Sequence, residues 1–268
     1  MIVITLTKNS ALTIKDTIES ITSQKFKNIL WLIFDERSKD ATLKIIKDSN
    51  INYKIFRSNS NSIYDCFNKA LRVIKKKKVN DVIFFLHSDD VIYNKNVFYY
   101  INGFFKKYNI DILYGNIFYF RNKNKVSFRK WDASFKEKQN SVKKSLFALK
   151  KFAKKDFIRG WMFPHTSLFF HSRILDKISF YETQYKISAD YLWSLKLLLN
   201  NNLKIFYWNN YIVKMRYGGT STNFKNIINV LIEDYKILYN LYKGSFFKII
   251  LVIFTLFFKK IRKIRQFI

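Results

Sequence analysis

The first half of the chain alternates short continuous apolar runs with stretches of helical spacing. Ile2–Thr7 is β-rich, and Ile14, Ile18 and Ile21 then recur at helical intervals, with Ser10 as the candidate cap. Ile29–Phe34 predicts a second buried strand ending at Asp35, followed by a helix from about Asp40 with Leu43 and Ile46 turned inward. Tyr53–Phe56 predicts a third strand, Ile63–Ile74 a third helix and Val82–Leu86 a fourth strand. Strands that are apolar throughout, separated by helices, belong to a parallel sheet covered on both faces. Right-handed crossovers place the strands' carboxyl ends along one edge, where such sheets bind ligands. Acids stand at these ends: Asp35 and Glu36, Asp65 just inside a helix, and the adjacent pair Asp89–Asp90.

The second half has a different texture. DILYGNIFYF (111–120) and KVSFRKW (125–131) predict a hairpin or two extended segments, and 141–155 reads as a basic amphipathic helix. TSLFF (166–170), LKIFYW and YIVKMRY read as further strands. Ser188 is a candidate cap for a helix in which Leu192, Leu195 and Leu199 share a face, and another helix is predicted near 226–243. The tail from 245 to 268 carries an apolar core of about 10–13 residues, short of the ~20 a spanning helix needs, and ends in KKIRKIR. This predicts a helix lying on an anionic membrane surface; a terminal helix docked on the domain is the alternative.

Charge adds a puzzle. The chain has 49 basic and 19 acidic residues, a formal charge of +30. Coding bias and function weigh about evenly as its source, since Lys, Asn, Ile and Phe are abundant while Gly (6) and Pro (1) are scarce. A nucleic-acid-binding surface is one reading of the charge, but acids at successive strand ends repel phosphate unless a cation intervenes. Two side-by-side carboxylates after a buried strand repel each other as well. Mg²⁺ or Mn²⁺ relieves both problems, because each takes one or two carboxylates and completes its shell with water and substrate phosphates. The single cysteine, Cys66, excludes an intrachain disulfide and reads as a packed thiol beside Ile63, Phe67, Ala70 and Ile74. The opening MIVITLTKNS lacks a basic n-region and is not read as a signal peptide.

Six segments in order resemble the family 2 glycosyltransferases, inverting enzymes of the GT-A fold. Residues 3–46 are similar to that family's first strand, helix, second strand and D-[DG]-G-S-x-D-x-T turn. NSIYDCFNKAL (61–71) resembles KGIYDAMNKGI; FFLHSDD (84–90) resembles FLNSDD, the family's form of the DxD motif. ILYGN (112–116), MFPHTSLFF (162–170) and YKISADYLWSLKL (185–197) resemble later family segments, with a weaker echo at 215–222. The resemblance implies an α/β GT-A domain over 1–222, with a mostly parallel central sheet flanked by helices. Its nucleotide-sugar half spans about 1–116 and its mixed acceptor half about 117–222; residues 223–268 form a basic, apolar helical segment.

The resemblance also implies roles. Asp90 holds Mn²⁺ or Mg²⁺, with Asp89 beside it toward the metal or ribose. Asp35 and Glu36 read base and ribose, Thr7 and Asn9 line the nucleotide pocket, and Asp65 is a sugar- or phosphate-side acid. Asp190 is the catalytic base and His165, near the acceptor, is a second candidate catalytic residue, while Arg159, Lys214 and Arg216 are candidates for holding the diphosphate. The implied activity is a metal-dependent, hexosyltransferase-type inverting transfer, with a UDP-sugar favoured as donor. The acceptor is a glycan or lipid-linked hydroxyl in cell-surface polysaccharide synthesis, at the cytoplasmic face of the membrane, with no nucleic-acid partner. A nucleotidyltransferase shares the metal–diphosphate chemistry but has no need of Asp190. The sequence departs from the pattern where Glu36, Arg37, Ser62 and Ala70 replace common residues, mostly glycines. At Arg37 a reshaped turn is expected, because a side chain resists positive φ.

Overall fold

The computed structural model describes residues 1–60, 62–121, 127–133, 147–149, 162, 164–218, 226–243 and 246–264. The first half is built from β1 (Ile2–Thr7), α1 (Ile14–Thr22), β2 (Leu30–Asp35), α2 (Thr42–Lys47), β3 (Tyr53–Arg57), α3 (Ile63–Lys76) and β4 (Val82–Phe85). β3, β2, β1 and β4 lie side by side and parallel, in that order. The pleat sends Ile2, Ile4 and Leu6 into one apolar layer and Val3 into the other. α3 covers the first face, and α1 and α2 the second. The parallel sheet read from the apolar runs is present, with its carboxyl ends on one edge.

The sheet continues as β9 (Leu168–His171), β6 (Ile112–Phe120), β10 (Ile205–Arg216) and β5 (Val91–Ile92). β9 runs antiparallel to both β4 and β6, so this half is mixed. β7 (Ser127–Trp131) pairs antiparallel with β6, as the predicted hairpin requires. β8 (Phe147–Leu149) pairs antiparallel with β10. These three residues belong to the stretch read as a basic helix; the reading fails there, because β10 offers them an open strand edge to pair with. The rest of 141–155 and Arg159 lie outside the described residues.

LKIFYW and YIVKMRY form one strand, β10, with register irregularities between Trp208 and Val213. Gly115 of β6 faces that irregularity. A Cβ there would stand 2.7 Å from Ile212 Cδ1 and 2.8 Å from the carbonyl oxygen of Asn210. Gly115→Ala is therefore expected to destabilise the chain by about 1–3 kcal/mol, read as a lower denaturation midpoint at unchanged slope.

Helix α4 (Val97–Tyr108) goes unread from the sequence; α5 (Ala189–Leu199), α6 (Ile227–Leu241) and α7 (Lys248–Ile264) match predicted helices. Two predicted caps are corrected. α1 starts at Ile14 after Thr13, and Ser10 instead turns its hydroxyl to Ser88 at 2.9 Å. Ser188 is the N-cap residue of α5, but its side chain makes no capping bond. Ile63 is exposed rather than part of the apolar face of α3. Arg37 adopts φ 53°, so its side chain does not keep it from the left-handed conformation that glycine takes most readily. α6 and α7 pack against the same apolar layer as α3 and α5 through Ile237, Leu238, Tyr242 and Val252.

Candidate active site

The carboxyl ends of β1, β2 and β4 meet at one edge, and hydrogen bonds knit the loops beyond them. Asn9 Oδ1 accepts from Lys39 N at 2.8 Å, while its own N–H donates to Ser38 Oγ at 2.9 Å. Asn9 reaches this geometry at φ 51°, which asparagine tolerates better than most residues. Thr13 Oγ1 donates to the Ser88 carbonyl at 3.0 Å, and Glu36 N to the Thr7 carbonyl at 2.9 Å.

At the β1–β2 end, Asp35 is fully buried. Its Oδ2 accepts from Arg57 Nη1 at 2.7 Å and from Ser38 N at 3.1 Å, while its Oδ1 has no hydrogen-bond partner. The buried Thr7 hydroxyl is likewise unpartnered. Arg57, at the end of β3, was not singled out from the sequence; as an Arg closing an edge strand it carries no motif. Glu36 Oε1 accepts from Cys66 Sγ at 3.1 Å. Burial pushes this thiol up, so Cys66 stays protonated, as its packed reading anticipated.

The adjacent acids follow β4. Asp90 is buried and Asp89 half-buried. Asp90 Oδ1 accepts from Arg216 N at 3.0 Å, its carbonyl accepts from Thr17 Oγ1 at 2.8 Å, and its Oδ2 has no partner. Burial, reinforced by Asp89, pushes the Asp90 carboxyl well above its usual range. Arg216 clamps this loop: its Nε donates to the Asp89 carbonyl at 3.2 Å and its Nη2 to Asp16 Oδ2 at 2.8 Å. Lys214 instead lies over the Tyr93 ring. Among the described residues, no three His, Cys, Asp or Glu side chains gather as a ready-made cation cage. Two carboxylates, one with an empty-handed buried oxygen, do fit a small divalent ion that takes its remaining ligands from water and a diphosphate.

The third acid stands in the first turn of α5. Asp190 Oδ1 accepts from Tyr191 N at 2.8 Å and lies 3.2 Å from the Tyr64 hydroxyl. Burial pushes Asp190 up to about 6, partly opposed by these hydrogen bonds and by Lys259. His165 is 7% exposed, packed among Phe67, Phe85 and Trp193, with Nε2 2.6 Å from the Tyr181 hydroxyl. Burial pushes it down to about 3, so the imidazole is neutral at physiological pH. Asp65 N donates to Ser62 Oγ at 3.1 Å, which caps α3 and leaves the partly exposed Asp65 in its first turn.

A profile described as glycosyl transferase family 2 matches residues 2–178. The chain belongs to glycosyl transferase family 2. A search of curated proteins gives no match. Among solved structures, S. aureus TarS 1-349 in complex with UDP-GlcNAc aligns with TM-score 0.64 at 19% identity, over 90% of this chain and 66% of that one. The chain spans 39% of the longer TarS structure. A mannosyltransferase from Pyrobaculum calidifontis, solved with GDP-Man and Mn²⁺, aligns with TM-score 0.60 at 11% identity, over 97% of this chain and 73% of that one. Identities this low speak for the fold alone, and that fold is GT-A. Membership in family 2 makes the chain a glycosyltransferase.

Proposed function

We propose that this family 2 glycosyltransferase moves a sugar from a nucleotide-diphosphate donor, with UDP favoured, onto a glycan or lipid-linked hydroxyl, inverting the anomeric centre. The observation that carries the reading is three unpartnered buried oxygens: Thr7 Oγ1 and Asp35 Oδ1 at the ends of β1 and β2, and Asp90 Oδ2 in the loop after β4. Buried polar atoms are normally satisfied, so three at one sheet edge are ligand positions.

Asp35 offers an acceptor next to the Arg57 donor, which complements the N3–H and C4=O edge of uracil. Thr7, Asn9 and Glu36 line this nucleoside end, and Asp65 faces the sugar–phosphate side. Asp90 and Asp89 would hold Mn²⁺ or Mg²⁺, which when bound stabilises the charge of the departing diphosphate. Asp190 takes the proton from the attacking acceptor hydroxyl, for which a value near 6 suits a base at neutral pH. One base without a protein nucleophile means a single displacement, hence inversion. The neutral, buried His165 serves as a wall beneath the acceptor side rather than as a proton carrier.

The test is a thermal-shift screen of UDP-, dTDP-, GDP- and CMP-sugars with and without Mn²⁺. One nucleotide class is expected to raise the melting temperature only with metal. No response to any nucleotide would overturn the donor reading.

The acceptor is proposed to sit at the cytoplasmic face of a membrane, in surface-polysaccharide synthesis. Among the described residues no helix is long and apolar enough to cross a bilayer. α7 nonetheless exposes Ile249, Ile250, Ile253, Phe254 and Phe257, and α6 exposes Ile228, Leu231 and Ile232. Apolar stripes followed by the basic KKIRKIR run suit an anionic interface. The full chain is expected to sediment with phosphatidylglycerol vesicles and not with phosphatidylcholine ones. Ile253→Glu/Phe254→Glu is expected to stay in the supernatant; equal sedimentation of this variant would remove the membrane assignment.

A further inference from the structure

α6 carries a third pair of adjacent acids, Glu233 and Asp234, after Asp35–Glu36 and Asp89–Asp90, and the pair has divided tasks. The Glu233 carboxylate gathers three consecutive backbone N–H groups: Lys186 on Oε1 at 2.9 Å, and Ile187 and Ser188 on Oε2 at 3.0 and 2.8 Å. These residues lead directly into α5, whose first turn holds Asp190. The Ile187 carbonyl, on the same segment, accepts from the Tyr64 hydroxyl that also reaches Asp190. With no cap from the Ser188 side chain, the entry to α5 is held from outside, by Glu233. Charge-assisted hydrogen bonds of this kind are stronger than neutral ones, and three on one carboxylate fix the segment's path.

Asp234 faces the other way. It is buried, and its Oδ2 accepts from Lys259 Nζ of α7 at 2.7 Å. The same ammonium lies 3.4 Å from the ring centroid of Tyr191, the residue after Asp190. Thr255 and Val252 bury the inner face of α7 beside it, with Thr255 Oγ1 3.1 Å from the Tyr242 hydroxyl. The helix with the exposed apolar stripe and the segment that holds the proposed base are thus joined through two successive residues of α6.

We propose that the α6–α7 pair is a working part of the acceptor site, with Glu233 as a positioning residue for Asp190 and the Asp234–Lys259 pair as the fastening that ties α7 to it. The inference rests on Asp190 being the base. The titratable groups facing Asp190 are Tyr64 from α3, Tyr181 from the segment before α5, Asp234 from α6 and Lys259 from α7.

The test needs no substrate and uses the full chain. Selective ¹³Cγ-aspartate labelling follows the Asp190 carboxyl by NMR, with Asp190→Asn as the assignment control. In the wild type it is expected to titrate at about 6. Lys259→Met removes a facing cation, and the midpoint is expected to rise by about one pH unit. Should that variant fail to fold, Asp234→Asn removes a facing anion while its amide oxygen still accepts from the partly exposed Lys259, and the midpoint is expected to fall. Hydrogen exchange reads the Glu233 arm. Glu233→Ala is expected to speed exchange of the Lys186–Ser188 amides by about tenfold or more, with partial rescue in Glu233→Gln and no change in the loop around Asp90. A midpoint indifferent to the Lys259 and Asp234 substitutions, or unaltered exchange in Glu233→Ala, overturns the proposal. If Asp190→Asn retained transfer, the base assignment would fail while these readouts stood, so the two failures are distinguishable.

Discussion

Asp190→Asn is expected to keep nucleotide binding, to lower sugar transfer by about 10²–10⁴-fold, and to raise the unfolding temperature. The first two effects follow from removing a general base that does not touch the nucleotide. The third follows from burial. The folded-state value of Asp190, about 6, lies above its ordinary 3.8. For such a group the stability contribution is fully present below 3.8, where the carboxyl is protonated in both states, and is lost as pH rises through 6. At pH 8 the native chain therefore carries an ionised, poorly solvated acid. Asn keeps the acceptor oxygen toward Tyr191 N and drops the charge. With a discount for the partial exposure of Asp190, the gain is about 1–2 kcal/mol, or about 3–6 °C. The gain is expected to vanish below about pH 4, and the wild-type rate to fall as pH drops through 6. Melts of both proteins across this range, beside a pH–rate profile, check every part. Turnover retained in the variant would remove Asp190 as the base.

Asp90→Asn is the second large effect. Asn Oδ1 can keep the Arg216 N–H, so the fold and the clamp on the loop are expected to survive. The unpartnered Oδ2 becomes an NH₂ group, which repels a cation instead of binding it. A nucleotide present with Mn²⁺ at 100 times its Kd stabilises the native state by about 2.7 kcal/mol. If the substitution weakens affinity about 100-fold, the same concentration gives only about 0.4 kcal/mol. The melting shift is thus expected to disappear almost entirely in Asp90→Asn. Stabilisation of the wild type that survives a chelator would show that Asp90 has another task.

The first half was legible because its signals are local. Continuous apolar runs mark β1, β2 and β4, and the acids at the end of β2 and after β4 fall where a parallel sheet puts its ligand edge. The second half was harder. α4 buries Val97, Phe98, Ile101 and Phe105, but Tyr99 and Tyr100, exposed aromatics between them, blur that stripe in the sequence. β8 was taken for helix because basic and apolar residues recur there at both periods, and its partner strand lies more than 50 residues away. Ser10 and Ser188 look like caps from composition, yet tertiary partners claim the Ser10 hydroxyl and the Ser188 N–H. Arg57 and Glu233 act through contacts that no spacing encodes. A signal for Glu233 did exist, since adjacent acids in a chain of charge +30 are as unusual at 233–234 as at 89–90.

The first turn of α3 has a last consequence. Cys66, at the nucleoside end, reaches Glu36, and Tyr64, two residues earlier, reaches Asp190. Two residues of helix are a rise of about 3 Å and roughly half a turn, so these side chains leave on opposite sides of one stiff rod. On the proposed roles, the span from the Glu36 end to the Asp190 end is therefore set by one turn of helix, as on a fixed gauge.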